Sequence, residues 1–279
     1  MQDYRLGLYE KAMPDTLSWA EKLYGAKQAG YDYLEMSVDE GSAKLSRLDM
    51  AAKDRLDLVK EMCRQGIRIE SMCLSAHRRF PLGSMDAAVR ERSIEIFKKA
   101  VLLAGDLGIR IIQIAGYDEY YNPSSEETRA YFEESLRVCV EAAEQYGVLL
   151  GFETMETEFM NSVEKALRWV KKINSPYLQI YPDSGNITNA ALIYGKDVLE
   201  DIRLGAGHIA AVHLKESLLG KYREIPYGLG HVDFQAIIRQ AYALGVRRFT
   251  GEFWYAGDED WLGYIRRNGA YLRMGNMRA

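Results

Sequence analysis

Eight short β-rich runs alternate with longer helical stretches along the whole chain, and no other feature narrows the possible folds so far. The runs fall at residues 5–9, 31–36, 67–73, 109–114, 148–153, 178–181, 209–213 and 248–252. Their starts are about 35 residues apart, the size of one strand–helix–strand step. Several are continuously apolar (Ile111, Ile112, Ile114; Val148, Leu149, Leu150), as parallel strands covered on both faces should be. Between them the period changes. Over 85–107, Val89, Ile96, Phe97, Ala100, Leu103, Ala104 and Leu107 form one apolar stripe at helical spacing. Gly30, Gly66, Gly108, Gly147 and Gly245 each close such a stretch just before a β-rich run. The residue past a helix often takes a left-handed conformation that glycine adopts most cheaply. Asp15-Thr16 and the Ser-Ser-Glu-Glu of 124–127 read as helix starts. Eight β-then-α units predict an α/β protein, a (β/α)8 barrel. No Ser/Gly/Pro-rich linker divides the chain, so one domain over 1–279 is expected. An open doubly wound sheet would more often carry a GxGxxG turn after an early strand, and none is present.

Composition excludes several function classes. The chain is 48% hydrophobic and 27% charged, with a formal net charge of −4. A mildly acidic protein is not expected to bind nucleic acid through its overall field, though a local basic pocket for a small phosphate is compatible with it. Cys63, Cys73 and Cys139 form no CxxC pair, which argues against a disulfide framework and a cysteine zinc site. No apolar run approaches the roughly 18 residues of a membrane span, and the charged start MQDYRLGLYEK shows no signal segment. A cytoplasmic protein without membrane contact is expected.

In a (β/α)8 barrel the chemistry sits where strands end and helices begin. Four successive runs end in a polar side chain: Glu153, Asp183, His213 and Glu252. One acid at a strand end is as readily a helix cap or an ion-pair partner. Three carboxylates crowded onto one rim repel each other unless a cation neutralises them. Oxygen ligands with one imidazole suit a single divalent ion: Mn, Mg, Zn or Co. The chain has four histidines, too few for a three-metal site; His208 reads as a surface or helix-end residue and His231 as structural.

A second cluster follows the third run, with His77, Arg78 and Arg79 in sequence. It reads as a grip for an anion or sugar oxygen, or equally as a solvated basic turn. Lys215, Lys221 and Arg223, after the seventh run, add positive charge near the metal-capable rim. Together these cations favour a small phosphorylated substrate. Tyr9-Glu10-Lys11 and Tyr117, Tyr120 and Tyr121 are expected to wall the pocket or to serve as plain packing.

Several stretches resemble a known family. Glu35-Met-Ser-Val-Asp-Glu40, Met72 through Pro81 with its His-Arg-Arg-Phe-Pro, Ile114-Ala-Gly-Tyr117, Phe159-Met-Asn-Ser162, Tyr181 through Asn186, and Ala211-Val-His-Leu-Lys215 are similar to the bacterial L-ribulose-5-phosphate (L-xylulose-5-phosphate) 3-epimerases. Those enzymes stand within the xylose isomerase-like barrels, and the likeness runs over roughly 4–270. The resemblance implies metal ligands at Glu153, Asp183, His213 and Glu252, and a catalytic pair at Glu153 and Glu252. It implies substrate contacts at Asn186 and Arg223, beside the His77, Arg79 and Lys215 read from charge. It also implies a phosphorylated ketopentose as substrate, a role in L-ascorbate or related pentose catabolism, and a homodimer. The chain departs from the pattern at Leu229, where a glutamate is expected near the mouth, at Glu216 in place of aspartate, and at Glu158 in place of a small residue.

Epimerising carbon 3 of a 2-ketose removes a proton beside a carbonyl, and the charge left behind needs delocalising as an enediolate stabilised by the metal. Inversion then needs acid and base on opposite faces. The rival expectations are an aldose–ketose isomerase of hexulose-6-phosphate type on the same metal site, an abasic-site endonuclease and a non-catalytic sugar-phosphate binder.

Overall fold

The computed structural model describes residues 4–274. Its strands are β1 (Arg5–Tyr9), β2 (Tyr33–Val38), β3 (Arg68–Leu74), β4 (Ile111–Ala115), β5 (Leu149–Glu153), β6 (Leu178–Tyr181), β7 (Val212–Leu214) and β8 (Arg248–Gly251). They pair in parallel in the order β6-β5-β4-β3-β2-β1-β8-β7. Single bridges, Ile180 to Ile209 and Asp183 to His213, draw β6 to β7 and close the ring. A helix follows each strand, directly or after a short helical turn, giving the expected (β/α)8 barrel.

The five glycines all have positive φ, from 63° at Gly147 to 93° at Gly245. The chain also ends one helix on Asn174, at φ 55°, the residue besides glycine that best tolerates this region. Five strands begin one to three residues later than sequence periodicity suggests. The apolar residues after the glycines (Tyr31, Ile67, Ile109, Val148) are buried but precede the ladder, packing the barrel floor against the helix ends. The 124–127 helix start is found, with Ser125 capping Glu126–Tyr146. The start expected at Asp15-Thr16 is displaced. Ser18 caps Trp19–Gln28 instead, in a reciprocal box with Glu21, while Asp15 pairs with Lys44 at 2.7 Å.

The outward faces of the strands and the inner faces of the helices form the apolar core, including Leu6, Leu8, Leu34, Phe97, Phe132 and Phe249. The lumen differs, because two tyrosines rise through it. A Cβ on Gly7 would lie 2.2 Å from the Tyr33 ring, and one on Gly151 would lie 2.9 Å from Tyr181 Cβ. Glycine at these positions leaves the space the rings occupy. Between β2 and β3 the register slips: Leu34 stands opposite Ile69, but Glu35 stands opposite Ser71. The extra residue is Glu70. This bulge turns Ser71, not Glu70, toward Glu35.

Candidate metal centre and active site

The four strand-end residues meet. Glu153, Asp183, His213 and Glu252 each offer a ligand atom, and these atoms lie within 4.8 Å of one another. His213 Nδ1 stands 3.0 Å from Glu252 Oε2 and 3.5 Å from Glu153 Oε1. Asp183 and His213 are wholly buried, Glu153 and Glu252 nearly so. Asp183 also caps the helix Ser184–Tyr194 through Asn186 N, at 2.7 Å, which fixes its carboxylate at the rim.

Three atoms of the cluster have no hydrogen-bond partner among the described residues: Asp183 Oδ2, His213 Nδ1 and Glu252 Oε2. Buried polar atoms are rarely left so, because each costs about 1–3 kcal/mol. Two carboxylate oxygens and one imidazole nitrogen left so in one cluster fit a divalent cation.

The field of the site shows the same demand. Burial pushes Asp183 well above the usual carboxylate range, and Lys215 only partly offsets it. Burial also opposes ionisation of Glu252, but Lys215 and His213 outweigh it and hold this carboxyl low. His213 is raised well above its ordinary value; Glu35 and Glu252 overcome the penalty of burial. Lys215 Nζ stands 3.1 Å from Asp183 and 3.8 Å from Glu252, a fixed positive charge among the acids.

Behind His213 lies a residue whose role the sequence concealed. Glu35 Oε1 is 2.5 Å from His213 Nε2. Its other oxygen accepts from Ser71 Oγ at 2.7 Å and from Tyr181 OH at 3.0 Å. Glu35 sits mid-strand, not at a strand end, so a search of the rim passes over it. The signal was a glutamate set between Leu34 and Met36 inside a β-rich run.

The remaining expected residues separate. Arg223 reaches the mouth, with Nη2 2.8 Å from Glu156 Oε1, and Tyr120 OH meets the same oxygen at 3.1 Å. Burial works against ionisation of Glu156, but Arg223, and after it Lys215, draw it below its ordinary value. Glu224, beside Arg223, is a non-glycine at φ 61°, a strained conformation of the kind that gathers at functional sites. Asn186 is buried, with Nδ2 on the Thr154 carbonyl at 2.7 Å and Oδ1 without a partner.

The basic loop divides. His77 is not brought to the cluster; its ring packs 6.5 Å from Phe97 and its Nε2 meets the Ser93 carbonyl at 3.2 Å. Burial pushes its pKa down to about 4. Arg79 is exposed and lies over Phe80. Arg78 is the one that turns inward, its guanidinium 4.6 Å from the centre of the Tyr120 ring and its buried Nε unpartnered. Glu10 and Lys11 do not line the pocket freely, being paired with Arg47 at 2.6 Å and Asp39 at 2.5 Å. Lys221 is exposed in a tight turn. Leu229 is 69% exposed. Beneath its loop, buried Glu216 accepts from the amides of Gly228 and Val232, each at 3.0 Å. A cavity of about 340 Å³ opens beside Glu252 and Lys215, walled by Phe253, Trp254 and Tyr255, within the range of small-molecule sites.

The xylose isomerase-like TIM barrel family model matches residues 23–273. The chain belongs to that family. The Escherichia coli (strain K12) protein SgbU is 48% identical over 261 residues, 91% of this chain and 90% of that one. L-ribulose-5-phosphate 3-epimerase UlaE of Salmonella paratyphi C (strain RKS4594) is 47% identical over 231 residues, 83% and 80% of the two chains. A solved L-ribulose 3-epimerase superposes with a TM-score of 0.78 at 19% identity, over 98% of this chain and 94% of that one; this likeness is one of fold. No helix among the described residues is long and apolar enough to cross a membrane.

Proposed function

We propose that this member of the family is a metal-dependent 3-epimerase interconverting L-xylulose 5-phosphate and L-ribulose 5-phosphate. The observation that carries the reading is the buried convergence of Glu153, Asp183, His213 and Glu252 in a chain 47% identical to L-ribulose-5-phosphate 3-epimerases. Glu153 and Glu252 come from strands three places apart on the ring, with Asp183 and His213 between them. They therefore flank a sugar seated over the cluster from opposite sides. One takes the proton from carbon 3 and the other delivers a proton to the opposite face; in the reverse direction the roles exchange. A divalent ion (Mn, Mg, Zn or Co) held by the four residues supplies Lewis-acid stabilisation of the developing charge, worth several kcal/mol.

Lys215, with His213, holds Glu252 low and so keeps that carboxylate ionised between turnovers. Arg78 and Arg223, gathered about Tyr120 and Glu156, hold the 5-phosphate, and that remote binding orients carbon 3. The reading includes a cytoplasmic homodimer in pentose or L-ascorbate catabolism, its dimer open to light scattering. The deciding experiment is proton NMR of L-xylulose 5-phosphate in deuterated water with metal-loaded protein. Deuterium entering at carbon 3 is expected. Label at carbon 1 would identify an aldose–ketose isomerase instead.

A further inference from the structure

We infer that Glu35 is a positioning residue for the metal centre, which selects the tautomer of His213 and anchors it through a directed chain of hydroxyls. The inference rests on the metal reading above and extends it to a residue below the ligand shell.

The geometry leaves little freedom. His213 Nε2 is 2.5 Å from Glu35 Oε1, while Nδ1 faces Glu153 and Glu252. A carboxylate only accepts, so Nε2 carries a proton, and once an ion sits among His213, Glu153 and Glu252 in place of a second ring proton, Nδ1 offers it the lone pair. That is the form a metal requires.

The same rule orders the rest of the chain. Tyr181 gives its one proton to Glu35 Oε2 at 3.0 Å. Its 2.7 Å contact with Thr250 Oγ1 must then be a bond it accepts. Thr250, having given its proton, has only an acceptor left for Tyr33 at 2.8 Å, and Tyr33 shares its one proton with the Phe249 carbonyl at 3.1 Å. Hydroxyls from β6 and β8 thus point their protons toward one buried carboxylate. Ser71, swung inward by the bulge, donates to the same oxygen of Glu35 as Tyr181. Donor chains of this kind strengthen one another in a low-dielectric interior. The two lumen glycines, Gly7 and Gly151, exist to admit the tyrosines of this chain.

The test is calorimetric titration of metal-free protein with Mn2+ for the wild type, Glu35→Gln and Tyr181→Phe. In Glu35→Gln the amide keeps the size of the carboxylate but loses its charge. Its NH2 then meets two hydroxyls that now donate there. Partners of metal-ligating histidines typically account for ten- to hundredfold in affinity, and that loss is expected. Tyr181→Phe removes one donor but leaves the tautomer fixed, so a smaller loss is expected. Affinity in Glu35→Gln within threefold of wild type, with an unchanged circular dichroism spectrum, overturns the inference. A wild type that binds no Mn2+ overturns the metal reading and this inference with it.

Should Glu35→Gln not fold, the wild type decides alone. Long-range proton–nitrogen correlation of the imidazoles in Zn2+-loaded protein reads the His213 tautomer directly, assigned against the other three histidines. A proton on Nε2 is expected; a proton on Nδ1 overturns the inference. A residue that merely packed the lumen would leave the Mn2+ affinity unmoved.

Discussion

The two halves of the barrel ring do different work on the same imidazole. Strands β5 to β8 end in side chains that converge on a point above the lumen: Glu153, Asp183, His213 and Glu252. Strands β2 and β3 deliver nothing to that point. They supply Glu35, which meets His213 from below, and Ser71, which donates to Glu35. The upper set is left with orphaned atoms, while both Glu35 oxygens are engaged. A site poised for an ion shows unmet demand on one side and full satisfaction on the other. The contrast separates residues that do chemistry from residues that aim them.

The hardest test of that division is on the upper half. Glu153→Gln and Glu252→Gln each remove a proton carrier without changing shape. Turnover in the deuterium wash-in assay is expected to fall about 10²–10⁴-fold in each, the usual contribution of a positioned acid or base. Near wild-type turnover in either would dissolve the two-carboxylate assignment. Their effects should not add, because losing one face of the reaction already stops inversion.

The two halves were also unequally legible. The ligands could be read because the fold places chemistry at strand ends, and Glu153, His213 and Glu252 each fall at the end of a β-rich run, with Asp183 two residues past one. Glu35 follows no such rule. Its meaning depends on a register slip at Leu34/Glu35 and on two tyrosines entering space left by Gly7 and Gly151. Neither can be read from a period-2 pattern, because a single inserted residue inverts which side chains face inward. Glu156 was hidden for another reason. Sequence reading weighed its neighbour Glu158, and only the folded loop shows which of the two meets Arg223.

The third-strand loop sharpens the comparison, because His77 looked like a reactive residue and behaves as a core one. Folded, its ring takes a proton only near pH 4; unfolded, near 6.5. Between those values the unfolded chain binds more protons. Stability is therefore fully present above about pH 6.5 and falls as the pH drops toward 4, by about 3 kcal/mol in all. Urea melts of His77→Leu across this window should show a shallower loss than wild type by about that amount. Turnover at neutral pH should change little. A His77→Leu enzyme with unchanged acid sensitivity, or with collapsed turnover and intact fold, would return His77 to the site.

The smallest expected effects are also the most discriminating. Arg78 and Arg79 are adjacent, identical in chemistry and indistinguishable by sequence, yet the loop turns one inward over Tyr120 and the other out over Phe80. Hydrogen bonds to a charged group contribute about 1.5–3 kcal/mol. Arg78→Ala should therefore lower kcat/KM for the 5-phosphate roughly ten- to hundredfold, while Arg79→Ala stays within about twofold, as exposed charges usually do. Packing loss over Tyr120 would penalise phosphorylated and free pentulose alike. A phosphate contact penalises only the phosphorylated sugar, so the ratio of the two kcat/KM values separates the explanations. Equal penalties on both sugars in Arg78→Ala would confine that arginine to holding Tyr120 in place, and Arg223 would be left to hold the phosphate.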